Sequence, residues 1–297
     1  MIFYLTTGEY TWLARAGVPL FVNYRRMWRQ EEERKSEFRP ALARWALDSG
    51  GFTELSTNGK WTIHSVRYAN SIRRYMREIG NLDWCAPQDW MCEDAILKKT
   101  GLTVAIHQQR TIESYLDLKA MIPEAPIVPV LQGWLRAHYM DHIEQYDRVG
   151  IDLRKEPVVC MGTMCRRQDT MRASWIVREM AEMGLRCHAL GAKTSGLPGY
   201  YNLIASADSL AWSYSALKKH FRYSHLCEHK VKRPGGPVMC NNCFNWAMAW
   251  RESDVLGSLP REDEPMPQAD VDSLTKGSRA RAEAGGDLLA PFDARYL

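Results

Sequence analysis

The sequence contains no apolar run close to the roughly 18 residues that a membrane-spanning helix needs. Its first seven residues have neither the basic region nor the small-residue cleavage site of a secretory signal. No internal repeat and no low-complexity tract is present. These absences predict a soluble protein of the cytoplasm, without membrane association, and argue against a repeat architecture.

The composition is that of a globular protein. Of 297 residues, 45% are hydrophobic and 25% are charged, which excludes collagen-like, coiled-coil and wholly disordered chains. The net charge of +4 is unevenly distributed: residues 251–297 carry six basic and ten acidic side chains, and the first 250 residues carry 33 basic and 25 acidic ones. A mildly basic body is compatible with a nucleic-acid partner, but many enzymes that bind no nucleic acid are equally basic.

Short β-rich runs alternate with helical patterns over the first 250 residues. Such alternation is typical of parallel strands joined by helices, and about eight strands predict an α/β fold of the (β/α)8 TIM type, with a doubly wound open sheet as the alternative. The β-rich runs are Ile2–Thr7, Pro19–Tyr24, Trp45–Phe52, Leu82–Asp89, Ile127–Gly133, Val158–Thr163, Cys187–Ala192 and Leu203–Ser209. The helical patterns are Ser65–Glu78, Glu93–Lys99, Gln109–Met121, Arg136–Val149 and Gln168–Met183, with a further solvated helix expected within residues 25–35.

Three parts of the chain are expected. Residues 1–215 form the barrel, residues 216–256 form a zinc-binding subdomain packed on it, and residues 257–297 form a flexible tail. The tail is predicted because it is rich in Pro, Gly, Ser and charge and has little apolar periodicity, so it cannot bury enough surface to offset the entropy of ordering.

Six of the predicted strands end in a polar or glycine-containing cluster. In a barrel the active site lies at the carboxyl ends of the strands, so these clusters would converge on one mouth. The same residue types are common in turns and helix caps for structural reasons, but six clusters with three carboxylates among them favour a catalytic site. The clusters are Asp48–Gly51, Gln88-Asp89, Gln132-Gly133, Gly162-Thr163, Lys193–Gly196 and Asp208-Ser209.

Two carboxylates facing each other across such a mouth are suited to chemistry at the anomeric carbon of a sugar. One attacks C1′, and the other moves the proton of the departing or arriving group. Asp48 and Asp208 are the candidates, and these residues alone leave open which plays which part. Asp89 is a candidate for recognising a base edge rich in hydrogen-bond donors, and Gly50 would let the backbone approach a ligand closely.

These residues also carry a family resemblance, over roughly residues 40–250. The segment Asp48–Phe52 resembles the DSGGF motif of the queuine and archaeosine tRNA-guanine transglycosylases, and the order of Asp89, Gln132-Gly133, Gly162, Asp208 and a cysteine cluster agrees with theirs. The surroundings of Asp89 and Asp208 resemble more closely the DpdA branch, the DNA-guanine transglycosylases that place 7-deazaguanines in DNA.

The resemblance implies residue roles. Asp208 would be the nucleophile that forms a covalent bond to C1′, and Asp48 would be the general acid and base. The incoming base would be 7-cyano-7-deazaguanine (preQ0) or a close relative. The residues implied in its binding are Asp89, Gln132, Gly133, Gly162, Ser49 and Gly50. Two departures affect this pocket: Thr53 replaces the Gln that follows DSGGF in the tRNA enzymes, and Gly162-Thr163 replaces their paired glycines.

Three cysteines and one histidine have the spacing of a zinc site. Cys227, His229, Cys240 and Cys243 give C-x-H-x10-C-x2-C, a closed tetrahedral set and therefore a structural Zn²⁺. The transglycosylases carry a comparable site with the histidine last, so His225 and His220 are alternatives to His229. The surrounding basic side chains between Lys218 and Arg233 fit either a DNA-backbone contact or an ordinary solvated rim.

Several readings remain open from the sequence. A target base must leave the stack, and Trp90, Trp134, Trp212 and Tyr214 are candidates to contact it, although for each one taken singly a core or interface aromatic is the favoured interpretation. The alternatives to DNA-guanine exchange are tRNA-guanine exchange, a nucleic-acid-binding barrel whose catalysis has lapsed, and a sugar hydrolase. A homodimer is left open.

Overall fold

The computed structural model describes residues 1–33, 38–164, 170–218 and 241–260. Within these residues eight β-strands alternate with helices. The strands are β1 (Ile2–Thr7), β2 (Leu20–Asn23), β3 (Trp45–Asp48), β4 (Leu82–Cys85), β5 (Val130–Leu131), β6 (Val159–Met161), β7 (Cys187–Ala189) and β8 (Ser206–Ser209). The α-helices are α1 (Tyr24–Glu33), α2 (Gly51–Asn58), α3 (Ser65–Glu78), α4 (Asp94–Thr100), α5 (Val104–Met121), α6 (Arg136–Arg148), α7 (Thr170–Glu182), α8 (Ala211–Lys218) and α9 (Phe244–Trp250).

The strands form one parallel sheet with the order β4-β3-β2-β1-β8-β7-β6-β5. Neighbours in this order follow one another along the chain, and the first and last strands in sequence, β1 and β8, pair at its centre. A parallel bridge between Cys85 of β4 and Ile127, just before β5, links the two remaining edges. The sheet is therefore curled and TIM-like, which confirms the predicted α/β class and strand number and excludes the doubly wound alternative.

The interior of the curled sheet is filled by side chains. Each strand has one face inside, and alternate residues contribute to it because successive side chains point to opposite faces. Aromatic rings pack at the centre, with Trp84 5.9 Å from Tyr4 and 5.4 Å from Phe21 between ring centroids. The buried members of this cluster are Tyr4, Phe21, Ala46, Trp84, Ala86, Val128, Val130, Val158 and Cys160.

Element boundaries differ from the sequence prediction in two instructive places. The run predicted as one strand over Trp45–Phe52 is β3 followed by α2, because Gly50 adopts a left-handed backbone (φ 81°) that ends the strand. Helix α5 begins five residues before the predicted Gln109, since the hydroxyl of Thr103 accepts a hydrogen bond from the backbone N–H of Ile106 and caps the first turn.

The predicted division into domains remains a prediction. Contacts within the chain define one unit from Met1 to Ser258. The zinc-binding part expected over residues 216–256 falls mostly outside the described residues, and so does the expected tail beyond Pro260. Among the described helices, none combines the length and apolarity needed to cross a membrane.

Candidate active site

Polar side chains line the interior face of the sheet at the carboxyl ends of its strands. Asn23, Asp48 and Gln132 each lie two positions beyond a core residue of the same strand, namely Phe21, Ala46 and Val130. Since alternate residues of a strand share a face, the packed interior leads directly to a polar mouth. The six clusters predicted from the sequence belong to this end of the sheet.

Asp208 is buried at the end of β8, with 3% of its surface exposed. Three groups donate hydrogen bonds to its carboxylate: the Thr6 hydroxyl at 2.5 Å to Oδ2, and the Gly191 backbone N–H at 2.7 Å and the His188 ring at 3.2 Å to Oδ1. These donors come from β1, from the loop after β7 and from β7 itself. The carboxylate is therefore held in one orientation from both sides of β8.

Asp48 is half-buried at the end of β3, beside Asn23 of β2. The two residues are paired in the strand register, and the Asn23 amide donates to Asp48 Oδ2 at 2.6 Å. Burial raises the Asp48 pKa from 3.8 to about 7, helped by the negative charges of Asp89 and Asp208 and opposed by hydrogen bonds from Gly50 and Asn23. A carboxyl group with this pKa can both give and take a proton near neutrality.

Asp89 is the third buried carboxylate, and both of its oxygens are engaged. The Ser49 hydroxyl donates to Oδ1 at 2.7 Å, and the Gln132 amide donates to Oδ2 at 2.6 Å. Burial raises the Asp89 pKa, and these two hydrogen bonds oppose the rise. The Gln132 carbonyl in turn accepts from the Thr163 hydroxyl at 2.8 Å, so a continuous chain of hydrogen bonds runs from β3 to the end of β6.

Two glycines permit the close packing of this network. A Cβ on Gly162 would come within 2.5 Å of three atoms of the Gln132 amide, so only glycine leaves room for that side chain. Gly50 is buried with φ 81° between Asn23 and Arg25. Gly133 follows Gln132 but lies against His138 of α6. Of the sequence-predicted pocket residues, Ser49, Gly50, Asp89, Gln132 and Gly162 are thus brought together, and Gly133 lies at the rim of the group.

Thr163 holds a backbone conformation that is rare for a β-branched residue, with φ 60°. We expect Thr163→Gly to be more stable than Thr163→Ala by about 1 kcal/mol, because alanine in the left-handed region carries a steric cost that glycine avoids. Urea unfolding of both variants measures the difference. At Thr53, inside α2, the alanine variant should instead be more stable than the glycine variant. Alanine equal to or better than glycine at residue 163 would contradict the strained backbone.

Three side chains of the mouth were missed by the sequence interpretation: Thr6, Asn23 and His188. Thr6 and Asn23 are the next-to-last residues of the first two β-rich runs, so extending to these runs the rule applied to the later strands would have found them. His188 lies inside the run Cys187–Ala192, where nothing in the local sequence distinguishes it from a core residue. Its contact with Asp208 depends on the register that pairs His188 with Ser206 across β7 and β8.

The aromatic side chains suggested to contact an extruded base differ in their placement. Trp212 is a core residue with 1% exposure, and its indole N–H donates to the Thr6 carbonyl at 2.9 Å, which agrees with the favoured core interpretation and leaves it no surface for stacking on a base. Trp90 is also largely buried, with the Arg110 guanidinium 4.4 Å above its ring. Tyr214 is half exposed and Trp134 partly so, and these two remain accessible.

The predicted zinc ligands fall largely outside the described residues. Cys227, His229 and Cys240 lie there, as do the alternatives His225 and His220 and the basic side chains from Lys219 to Arg233. Cys243 is described: it is fully buried, forms no disulfide and immediately precedes α9. Within the described part of the chain, no group of three or more His, Cys, Asp or Glu side chains could hold a metal ion.

A parallel, curled α/β sheet with three buried or half-buried carboxylates at the carboxyl ends of its strands defines a TIM-barrel-like enzyme. A sequence model of the family described as DpdA, DeoxyPurine in DNA protein A, matches residues 1–270, and the chain belongs to that family. Membership associates it with deoxypurine modification and with DNA as substrate. A comparison with curated proteins gives no match.

Proposed function

We propose that the protein is a DNA-guanine transglycosylase that exchanges guanine in DNA for a 7-deazaguanine base, 7-cyano-7-deazaguanine or a close relative. The observation that carries the proposal is the pairing of Asp208, oriented by three donors, with Asp48, whose pKa is about 7, on the interior face of the same end of the sheet. A second displacement by a base rather than by water makes the enzyme a pentosyltransferase.

In the first step an oxygen of the Asp208 carboxylate attacks C1′ of the target deoxynucleotide. The C1′–N9 bond breaks, its electron pair leaves with guanine, and the departing base takes the proton of Asp48. The product is an ester between Asp208 and C1′. A carboxyl group with its pKa near 7 is protonated in about half of the molecules at neutral pH, which suits it to this step.

In the second step the incoming 7-deazaguanine gives its N9 proton to the Asp48 carboxylate. N9 attacks C1′, the bond between C1′ and the Asp208 oxygen breaks, and the Asp208 carboxylate is restored. Each displacement inverts the configuration at C1′, so the exchange proceeds with net retention. Asp48 ends the cycle protonated, as it began.

Base selection is assigned to the network around Asp89. A carboxylate has about four acceptor positions, so the neighbouring N–H donors of a guanine-like edge can share the Asp89 oxygens with Ser49 and Gln132. Gln132 offers its amide to the carbonyl side of the base. Because residue 162 is a glycine, the Gln132 amide has room to lie directly against the backbone at the end of β6.

A base-exchange assay tests the proposal. Purified protein is incubated with 7-cyano-7-deazaguanine and either DNA or tRNA, and the nucleosides are analysed by mass spectrometry. We expect a 7-deazaguanine deoxynucleoside from DNA alone. Incorporation into tRNA alone would transfer the assignment to tRNA-guanine exchange. Single-stranded DNA should react at least as well as duplex, since extruding a paired base costs a few kcal/mol.

A structural Zn²⁺ held by Cys227, His229, Cys240 and Cys243 is part of the proposal. It rests on the ligand spacing and on the burial of the Cys243 thiol. We expect metal analysis to find about one zinc per chain. Cys243→Ser should lose most of it, whereas Cys187→Ala, at a buried cysteine of β7 outside the set, should keep it. A folded wild-type protein without zinc would refute this site.

A further inference from the structure

His188 is a buried side chain to which the exchange chemistry above gives no part beyond orienting Asp208. It lies in β7 with no exposed surface, and three aromatic rings surround it, with centroids 4.6 Å away for Trp84, 5.7 Å for Phe21 and 5.8 Å for Tyr4. A polar ring in such surroundings needs partners for both nitrogens. Both of those partners lie on β8.

The strand register places His188 between the two partners. His188 is paired with Ser206, and Asp208 lies two residues further on the same face of β8. Nδ1 is 2.8 Å from the Ser206 hydroxyl, and Nε2 is 3.2 Å from Asp208 Oδ1. The Thr6 hydroxyl and the Gly191 N–H already donate to Asp208, so we assign to His188 the tautomer whose Nε2–H is a third donor to the same side chain. The Ser206 hydroxyl then donates to Nδ1 and fixes this tautomer.

We propose that His188, with its tautomer fixed by Ser206, is a positioning residue that makes Asp208 a better leaving group in the second displacement. The inference rests on the proposed function of Asp208. When the bond between C1′ and the Asp208 oxygen breaks, the electron pair returns to the carboxylate and negative charge grows on it. The N–H of His188 stabilises that charge more than it stabilises the neutral ester.

The proposal predicts that loss of the His188 N–H affects the two half-reactions differently. In His188→Phe the ring still packs among Tyr4, Phe21 and Trp84, but the N–H donor is gone. Ester formation should persist, because Thr6 and Gly191 still orient Asp208, whereas ester breakdown should slow. We expect turnover to fall about 10- to 100-fold, the range for one hydrogen bond to a charged group, while the fraction of enzyme found as DNA adduct rises.

Two further variants make the test specific. His188→Gln keeps an N–H donor and should recover part of the turnover. Ser206→Ala should also lower turnover, but by less than His188→Phe does. In the His188→Phe background it should cause no further fall in turnover, because both changes act through one hydrogen bond. His107→Phe is the matched control: His107 is also fully buried, its nitrogens face Met91 and Thr100, and its loss should leave the adduct fraction unchanged.

The measurement is rapid-quench exchange with labelled DNA and 7-cyano-7-deazaguanine, with the adduct quantified on denaturing gels and folding checked by urea unfolding. A rise in adduct with a fall in turnover supports the inference. Turnover and adduct that fall together in a folded His188→Phe protein, or stay at the wild-type level, would overturn it while leaving base exchange intact. If wild-type protein forms no adduct at Asp208, the proposed function fails and the inference falls with it.

Discussion

An Asp208→Asn variant is expected to lose base exchange and to form no covalent adduct with DNA. The amide is nearly isosteric with the carboxylate, so the fold should survive, but its uncharged oxygen and nitrogen cannot attack C1′ and form an ester. We expect exchange to fall by about 10³-fold or more. Nucleoside mass spectrometry measures exchange, and denaturing electrophoresis of enzyme with labelled DNA measures the adduct.

The chain offers a matched control for this experiment. Asp83, on β4, is a carboxylate of the same sheet that accepts hydrogen bonds from Tyr4 and Arg44 away from the mouth. Asp83→Asn should retain exchange at close to the wild-type rate. Persistent adduct formation by folded Asp208→Asn protein would mean that another residue is the nucleophile.

Replacing Asp48 by asparagine is expected to lower base exchange and to raise the stability of the fold at alkaline pH. Exchange should fall by about 10²- to 10⁴-fold, because no group then supplies the proton to the departing base. In the wild type, adduct formation should decline as the pH rises through about 7, where Asp48 loses its proton. The residual activity of the variant should lack this dependence.

The same variant should gain stability at alkaline pH. The Asp48 pKa is about 7 in the folded protein and near 3.8 when unperturbed, so folding disfavours the ionised form. The wild type therefore loses stability as the pH rises from about 4 to 7, and the loss is complete above that range.

Asp48→Asn removes this titration and retains the oxygen that accepts from Asn23. Relative to wild type, the variant should be more stable at pH 8 than at pH 5 by about 1 to 2 kcal/mol, reduced from the full value because water reaches the half-buried group. Urea unfolding at both pH values gives the comparison. An equal difference at the two pH values would argue against a raised Asp48 pKa.

Much of the fold could be predicted because its signals are local. Short apolar runs mark strands such as β1, and capping or periodicity marks helices such as α3, which matches its predicted bounds. Asp48, Asp89 and Asp208 were found for the same reason, since each follows an apolar run. Gly50 is a place where the local signal is insufficient. A glycine permits a left-handed backbone but does not require it, so the predicted strand continues through the residue at which β3 is in fact followed by a turn.

The contacts within the site could not be predicted because they depend on strand register and on loops. The Asn23–Asp48 pair requires that β2 and β3 align at those two residues, and His188 meets Asp208 only because it is paired with Ser206. Gln132 reaches Asp89 through the course of the segment that follows β4. No periodicity in the sequence encodes these alignments, which follow from packing the whole sheet.

On one face of a strand, a residue of the packed interior and a residue of the mouth are only two positions apart. This spacing restricts which substitutions the protein can accept. Ala46 packs in the interior, and Asp48, the next residue on that face, lies at the mouth; Phe21 and Asn23 have the same relation. A methyl group added at Ala46 would shift β3 in a densely packed interior and carry Asp48 with it. Thermostabilising changes are therefore best sought on the outer helices, because the packing of the interior and the alignment of the mouth residues cannot be varied independently.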